Sequence, residues 1–177
     1  MIIGIAGKAR SGKDTAAQYL SNAYHMKIHA FADPMKNAAV HLFGITRDMA
    51  DGLDNYDREQ IVPEWGISVR EMLQKLGTDC MRNVFFDDFW LKRAEITINN
   101  SDPLIFSDVR FDNEAQWIQD RGGYVINILR EQQTETRDHI SELGIHIADF
   151  TITNNGTKME LFAELNRIMY THILKKS

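Results

Sequence analysis

The sequence predicts an α/β protein built on a five-stranded parallel sheet with helices on both faces. Short apolar runs of strand length alternate with segments of helical periodicity, and the first run leads straight into a glycine-containing, charged loop. Of the 177 residues, 44% are hydrophobic and 25% charged. That is the make-up of a folded domain with a real core, and it excludes disorder and fibrous repeats. The length suits one domain, or one domain with a small flap.

Ile2-Ile3-Gly4-Ile5-Ala6 reads as a buried strand, and the segment from Gly7 to Asp14 as a loop. From Thr15, apolar residues at Ala16, Ala17, Leu20, Ala23 and Tyr24 follow helical spacing, and Met26 to Phe31 reads as a second strand. Asp33-Pro34 looks like an N-cap followed by proline at the first helical position, opening a helix that runs to Gly44. Residues 45–66 contain four Asp and few periodic apolar residues, and are expected to be an irregular, mobile insertion. Ser68 with Glu71 forms a capping-box pattern for the next helix, whose apolar set is Val69, Met72, Leu73 and Leu76. A further helix is expected over Asp88 to Ile98, then a strand over Pro103 to Ser107 whose tip carries Asp108. Residues 112–120 read as helix closed by Gly122-Gly123, and Tyr124 to Leu129 as strand. After the polar stretch from Arg130 to Glu142 come a fifth strand, Phe150 to Thr153, a turn at Asn154-Asn155-Gly156, and a helix capped by Thr157 that runs to about Leu174.

With 20 Lys and Arg against 25 Asp and Glu the net charge is −5, and the chain lacks the basic face that nucleic-acid binding requires. No run approaches the ~18 apolar residues of a membrane span, and MIIGIAGKAR passes directly from apolar residues to charge, so neither an anchor nor a secretory signal is expected. The single Cys80 has no disulfide partner and reads as a buried small residue of a helix rather than a nucleophile, which suits a reducing cytoplasm. The six His show no metal-ligand spacing, so zinc is not expected.

The strongest chemical signal is Gly7-Lys8-Ala9-Arg10-Ser11-Gly12-Lys13 between the first strand and the first helix. Glycines at both ends let successive amides turn inward, the helix N-terminus adds positive potential, and Lys13 can reach the β- and γ-phosphates of a nucleotide. Asp14 stands where Ser or Thr usually contacts magnesium, and Thr15 follows one place later. Adenylate-kinase-type nucleoside monophosphate kinases share that pattern, so the loop resembles a small-molecule kinase more than a motor ATPase. Asp14 either holds the metal through water or complements the helix N-terminus.

Asp108, at the tip of an apolar strand, sits where open parallel sheets bind ligands, with Arg110 and Glu114 close behind. It can orient magnesium or accept a proton from the attacking phosphate. Phosphoryl transfer needs cations for donor and acceptor phosphates, and Lys36, Arg70, Arg82, Arg93, Arg110, Arg130 and Arg137 are the supply. The stretch from Arg130 to Glu142 suits a lid that keeps water from the γ-phosphate, or an ordinary surface loop.

Over nearly its whole length the chain resembles the phage deoxynucleoside monophosphate kinases. The resemblance rests on GKARSGKDTAA, FADPMKNAA from Phe31, WGISVREMLQKLGTDCMR from Trp65, DDFWLKRA from Asp87, FSDVRFDNEA from Phe106, DHISE from Asp138 and ITNNGTKMEL from Ile152. It implies a three-layer P-loop kinase fold, a single domain with a helical acceptor-binding insertion over about 45–100 and a lid over about 130–144. It also implies the ATP and magnesium cofactors and a deoxynucleoside monophosphate acceptor. The donor site would use Gly7, Lys8, Arg10, Ser11, Gly12, Lys13, Asp14 and Thr15, with Arg130, Arg137, Asn155 and Gly156 near the triphosphate or adenine. The acceptor site would use Asp33, Lys36, Arg70, Gln74, Thr78, Arg82, Trp90, Asp108, Arg110 and Glu114. By residue type, Lys36, Arg70 and Arg110 can clamp the acceptor phosphate, Gln74 can bond a base edge and Trp90 can stack on a base. Magnesium would lie near Asp14 and Asp108, and Lys13, Asp108, Arg110, Arg130 and Arg137 would carry the transfer.

Two alternatives share the loop. One is a P-loop kinase acting on phosphomevalonate or dephospho-coenzyme A, and the other a non-catalytic nucleotide-binding protein. Phe85, Phe86 and Phe89 suit a homodimer interface or core burial equally. A phage-encoded enzyme of this kind would work in the host cytoplasm.

Overall fold

The computed structural model describes residues 1–53, 57–99, 102–131 and 144–176. The chain divides into two compact units, one formed by Met1–Ala30 with Asn99–Ser177 and the other by Phe31–Ile98.

The first unit holds the parallel sheet. Its strands are β1 (Ile2–Ala6), β2 (Lys27–His29), β5 (Leu104–Val109), β6 (Tyr124–Leu129) and β7 (Phe150–Thr153). They lie in the order β2-β5-β1-β6-β7, and every neighbouring pair is parallel. All five residues of β1 are buried, as a central strand covered on both faces must be. Side chains alternate across it. Ile3 and Ile5 join the core formed with α1 (Lys13–Tyr24) and α7 (Lys158–Ile168), through Ala16, Leu20, Leu161 and Leu165. Gly4 faces the other way, where Ile118 of α6 (Asp112–Asp120) packs over it. Helices therefore cover both faces, as the alternation of apolar runs and helical periodicity predicts. Thr157 accepts the Glu160 amide and caps α7. The helix continues through a wider π turn at Met169–Ile173. The second strand is shorter than its apolar run, because only Lys27, Ile28 and His29 pair with β5 at the sheet edge.

The second unit is mainly helical. It contains α2 (Asp33–Phe43), α3 (Arg47–Asp51), the hairpin strands β3 (Ile61–Val62) and β4 (Ile67–Ser68), α4 (Val69–Gln74) and α5 (Phe89–Thr97). Two details differ from expectation. Ala32, not Asp33, occupies the cap of α2, with Asp33 the first helical residue. Residues 45–66 are not wholly irregular: Thr46 caps α3 by accepting the Met49 amide, and Ile61 and Val62 pair antiparallel with Ser68 and Ile67. Buried Ile45, Ala50 and Val62 tie this region to the core around Ala39, Val69 and Met72. Ser68 accepts the Glu71 amide at 3.2 Å, as its capping pattern predicts, and α4 continues as a π-helical stretch, Lys75–Phe85. Phe85 and Phe86 are exposed and Phe89 is half-buried, its ring 4.9 Å from that of Trp90. Among the described residues no helix is long and apolar enough to cross a membrane.

Ion pairs fasten α3 to α2. Lys36 Nζ lies 2.8 Å from Asp51 Oδ1, while Arg47 donates from Nε to Asp51 Oδ2 at 2.7 Å, from Nη2 to Asp33 at 2.6 Å and from Nη1 to Asn37 at 2.6 Å. Burial alone would raise the pKa of Asp51, but hydrogen bonds and charge from Arg47 and Lys36 together hold it below the ordinary value of 3.8. A carboxyl of this kind contributes its stabilisation above its unfolded pKa and loses it as pH falls through the lower folded value.

Two outcomes follow from this packing. Ile126 is fully buried on β6, so Ile126→Ala is expected to cost about 2–5 kcal/mol in urea unfolding. Asp51→Asn is expected to lower stability by about 2 kcal/mol near pH 7, since it leaves Lys36 and Arg47 short of a partner. It should also flatten the loss of stability that the unsubstituted protein shows as pH falls from about 4 downward. Urea midpoints measured across pH check both parts.

Candidate active site

The register of the sheet decides which loops emerge together. Ala6 pairs with Val109, so the loop that starts at Gly7 leaves beside Asp108 and Arg110. Leu129 pairs with Thr153, so Arg130 leaves beside the Asn154–Gly156 turn. All these strands are parallel, and their C-terminal ends share the edge at which open α/β sheets bind ligands.

The loop is bent by residues with positive φ: Gly7 at 147°, Arg10 at 62° and Gly12 at 102°. At Gly7 a Cβ would come within 2.5 Å of Ser11 Oγ and 2.6 Å of the Ile128 carbonyl, and at Gly12 it would overlap the Asn154 amide. Only glycine supplies the backbone and the space at these two points. Gly12 caps α1 with no side-chain acceptor, so the first amides of the helix are left for a ligand. Ser11 is fully buried, and its hydroxyl has no hydrogen-bond partner among the described residues. Lys13 is largely enclosed, with Nζ 3.7 Å from the exposed Asp14 carboxylate, too far for a tight pair. Free amides, an orphaned hydroxyl, a loosely held ammonium and glycines in place of side chains fit the phosphates of a nucleotide. Asp14 and Asp108 offer the oxygen ligands that magnesium takes.

Lys8, Arg10 and Arg130 are exposed, while Thr15, Asp108 and Arg110 are half-buried. Asn155 accepts the Glu131 amide at 3.0 Å, and Gly156 is exposed at the turn. Glu114 acts locally, its carboxylate accepting the amides of Arg110 at 2.8 Å and Phe111 at 3.3 Å and so closing the N-terminus of α6. It thereby fixes the backbone that carries Arg110. Arg137, with residues 132–143 of the expected lid, lies outside the described residues.

The other predicted acceptor residues belong to the second unit. Arg70, Gln74, Thr78 and Arg82 recur every four residues along α4 and its π continuation. Spacing of four drifts forward in an α-helix and backward in the wider π turn, so the mixture keeps them near one face. Arg70 Nε meets Glu59 Oε1 at 2.5 Å, and buried Arg82 donates from Nη1 to the carbonyl and carboxylate of Asp87 at 2.9 and 3.3 Å. Asp33 and Lys36 belong to the α2–α3 ion network. Trp90 is buried, and its indole N–H is donated to the Gly77 carbonyl at 2.9 Å, so it supports the wall of this unit from within. Sequence reasoning missed Arg47 and Asp51, whose i,i+4 spacing was the available signal. It also missed Asn154, read only as part of a turn.

Comparison with known proteins agrees with this arrangement. The family model described as deoxynucleotide monophosphate kinase matches residues 1–64 and 63–165. The Acanthamoeba polyphaga mimivirus protein named "Putative deoxynucleotide monophosphate kinase" is 33% identical over 182 residues, covering 93% of this chain and 94% of that one. The deoxynucleotide monophosphate kinase of Enterobacteria phage T4 is 26% identical over 239 residues, covering 95% of this chain and 98% of its own. The crystal structure of TT1252 from Thermus thermophilus shares the fold, with a TM-score of 0.52 at 16% identity over 97% of each chain. A phosphate loop on the central strand of a five-stranded parallel sheet, with the family model matched across both the sheet and the helical unit, leads to one assignment: the chain belongs to the deoxynucleotide monophosphate kinase family.

Proposed function

We propose that this kinase transfers the γ-phosphate of ATP to a deoxynucleoside 5′-monophosphate, giving the diphosphate and ADP. The observation that carries the reading is the shared sheet edge, where the Gly7–Thr15 loop, Asp108–Arg110 and Arg130 emerge together. In-line transfer demands little covalent work from a protein. The barrier falls when two anions are held in line and the charge that develops between them is met by fixed dipoles and cations.

On the donor side, the loop amides and the first turn of α1 hold the triphosphate. Lys13 exchanges its loose contact with Asp14 for the β- and γ-oxygens. The Ser11 hydroxyl gains a partner when phosphate arrives. Arg130 and Arg137 meet the charge that spreads onto the transferred oxygens, and Asn155 and Gly156 border the nucleotide. Asp14 and Asp108 would hold magnesium, which would supply positive charge against the donor phosphates.

On the acceptor side, Lys36, Arg70, Arg82 and Arg110 are the cations we assign to the monophosphate. Asp33, Gln74 and Thr78 offer groups for sugar and base, and Trp90 braces the helices that carry them. Asp108 positions the attacking phosphate or takes its proton. Glu114 acts through Arg110, whose backbone it holds. We read the chain as one functional kinase domain in which the helical unit serves the acceptor, working in the cytoplasm.

A coupled assay of ADP release from magnesium-ATP tests the reading, run against dAMP, dGMP, dCMP, dTMP, phosphomevalonate and dephospho-coenzyme A. Turnover is expected with one or more deoxynucleotides and with neither other acceptor. Lys13→Ala should lower kcat by at least about 10³-fold, as loss of a fixed cation at the transferred group does, with an unchanged circular dichroism spectrum. Full activity in that variant would remove the loop from the mechanism.

A further inference from the structure

The loop motif accounts for the residues between Gly7 and Lys13 but not for what holds them in place. A residue 143 positions away does part of that work. Asn154, the first residue after β7, donates from Nδ2 to the Ser11 carbonyl at 2.8 Å. Its backbone N–H donates to the Leu129 carbonyl at 2.7 Å, and the next residue, Asn155, accepts the Glu131 amide at 3.0 Å. This turn therefore joins the phosphate loop to the end of β6, from which Arg130 projects.

Peptide geometry gives the Asn154 bond its consequence. In a trans peptide the carbonyl and the amide hydrogen lie on opposite sides of the C–N bond. The Ser11 carbonyl is drawn toward Asn154, so the Gly12 amide in the same peptide unit is aimed away from Asn154. Gly12 is shaped to this neighbour as well as to its own φ of 102°, because a Cβ there would come within 2.4 Å of the Asn154 side-chain nitrogen. The two residues form a matched pair.

We propose that Asn154 is a positioning residue of the donor site: it fixes the orientation of the Ser11–Gly12 peptide so that the Gly12 amide is presented to the nucleotide phosphates. The inference rests on the reading of Gly7–Thr15 as the donor phosphate site. The Asn154 side chain acts through the loop and touches no reacting atom. A hydrogen bond from an uncharged amide to a carbonyl at the base of an anion site also leaves the positive potential of the loop undiminished, which a carboxylate in the same place would not.

The test is calorimetric titration of the full chain with magnesium-ATP and, separately, with inorganic tripolyphosphate, which carries the phosphates without base or sugar. The variants are Asn154→Ala, which deletes the donor without adding charge, and Asn154→Asp, which keeps the shape but cannot donate. Both should weaken ATP and tripolyphosphate in parallel, Asn154→Ala by about tenfold, the usual scale for one lost hydrogen bond of this kind, and Asn154→Asp by more, because its carboxylate also opposes the anion. The unliganded melting temperature should move by no more than about 2 °C, because the backbone bond to Leu129 and the β7 ladder survive both substitutions. In steady state, KM for ATP should rise while KM for the accepted deoxynucleotide stays within about twofold. Tripolyphosphate affinity unchanged in either variant would overturn the proposal, as would a rise in both KM values together. An unsubstituted protein that binds ATP and tripolyphosphate yet phosphorylates none of the deoxynucleotides would instead overturn the acceptor reading, with the comparison of variants still decisive for Asn154.

Discussion

Binding a polyphosphate with backbone amides imposes a geometric demand that the rest of this molecule is arranged around. Several consecutive N–H groups must converge on one point, which a chain of L-residues achieves only by visiting positive φ, here at Gly7, Arg10 and Gly12. For Arg10, which is not glycine, that conformation costs about 1–2 kcal/mol. A loop under such constraint cannot hold its own shape, so its ends must be anchored. One end leaves β1, whose five residues are buried between two neighbouring strands, and the other enters α1, whose Ala16, Ala17 and Leu20 are buried against the sheet. Because β1 sits at the centre of the order β2-β5-β1-β6-β7, its two neighbours deliver Asp108–Arg110 on one side and Arg130 on the other. The electrostatics of the edge follow from the packing of the strand that supports the loop.

In the second unit the cations we propose for the acceptor are all paired. Lys36, Arg70 and Arg82 each lie against a carboxylate, respectively Asp51, Glu59 and Asp87. Partly exposed pairs of this kind add little stability, typically under about 1 kcal/mol each. They do relieve repulsion among like charges and hold long side chains in limited orientations. The exposures within a pair differ: the side chain of Asp87 is 76% exposed while that of Arg82 is 3% exposed, so the carboxylate is the partner more readily given up to water. If the proposed acceptor role holds, a phosphate would compete there with solvated carboxylates and not with buried ones. Asp51 is the exception, since Arg47 grips it as well, and this carboxylate belongs to the architecture of α2 and α3.

Most of the first unit was legible in the sequence because its signals are local. Strands buried on both faces appear as unbroken apolar runs, and the phosphate loop is contiguous. The second unit was harder. The five-residue α3 has a single buried residue, Ala50, and is held by a cap and ion pairs, so it shows no helical period. Strands of two residues leave no alternation to detect. The π continuation of α4 breaks the 3.6-residue rhythm that a helix is recognised by. Site residues chosen by chemical type proved uneven in the same manner. Glu114 has the charge of a ligand-binding group, yet its carboxylate closes a helix terminus three residues away. Trp90 has the surface to stack on a base, but its ring is buried and its N–H engaged. Asn154 carried no signal at all, because its partner is 143 residues distant and residue type alone suggested only a turn.

The buried Ser11 hydroxyl ties the strain of the phosphate loop to its chemistry. Burying a hydroxyl without a partner costs about 1–3 kcal/mol, and a stability-driven sequence would place alanine there at no loss of packing. The neighbouring features point the same way: helix amides left uncapped, an ammonium held 3.7 Å from its counter-charge and an arginine in the left-handed region. Each is a small destabilisation confined to one loop, while β1 beside it is wholly buried and paired in parallel with β5 and β6. Strain concentrated in this way is sustained because the scaffold determines the loop more strongly than the loop determines itself. An anion that met the amides, hydroxyl and ammonium would relieve these deficits together. In the proposed donor site, the same local deficits that cost the loop stability are the ones a phosphate would relieve.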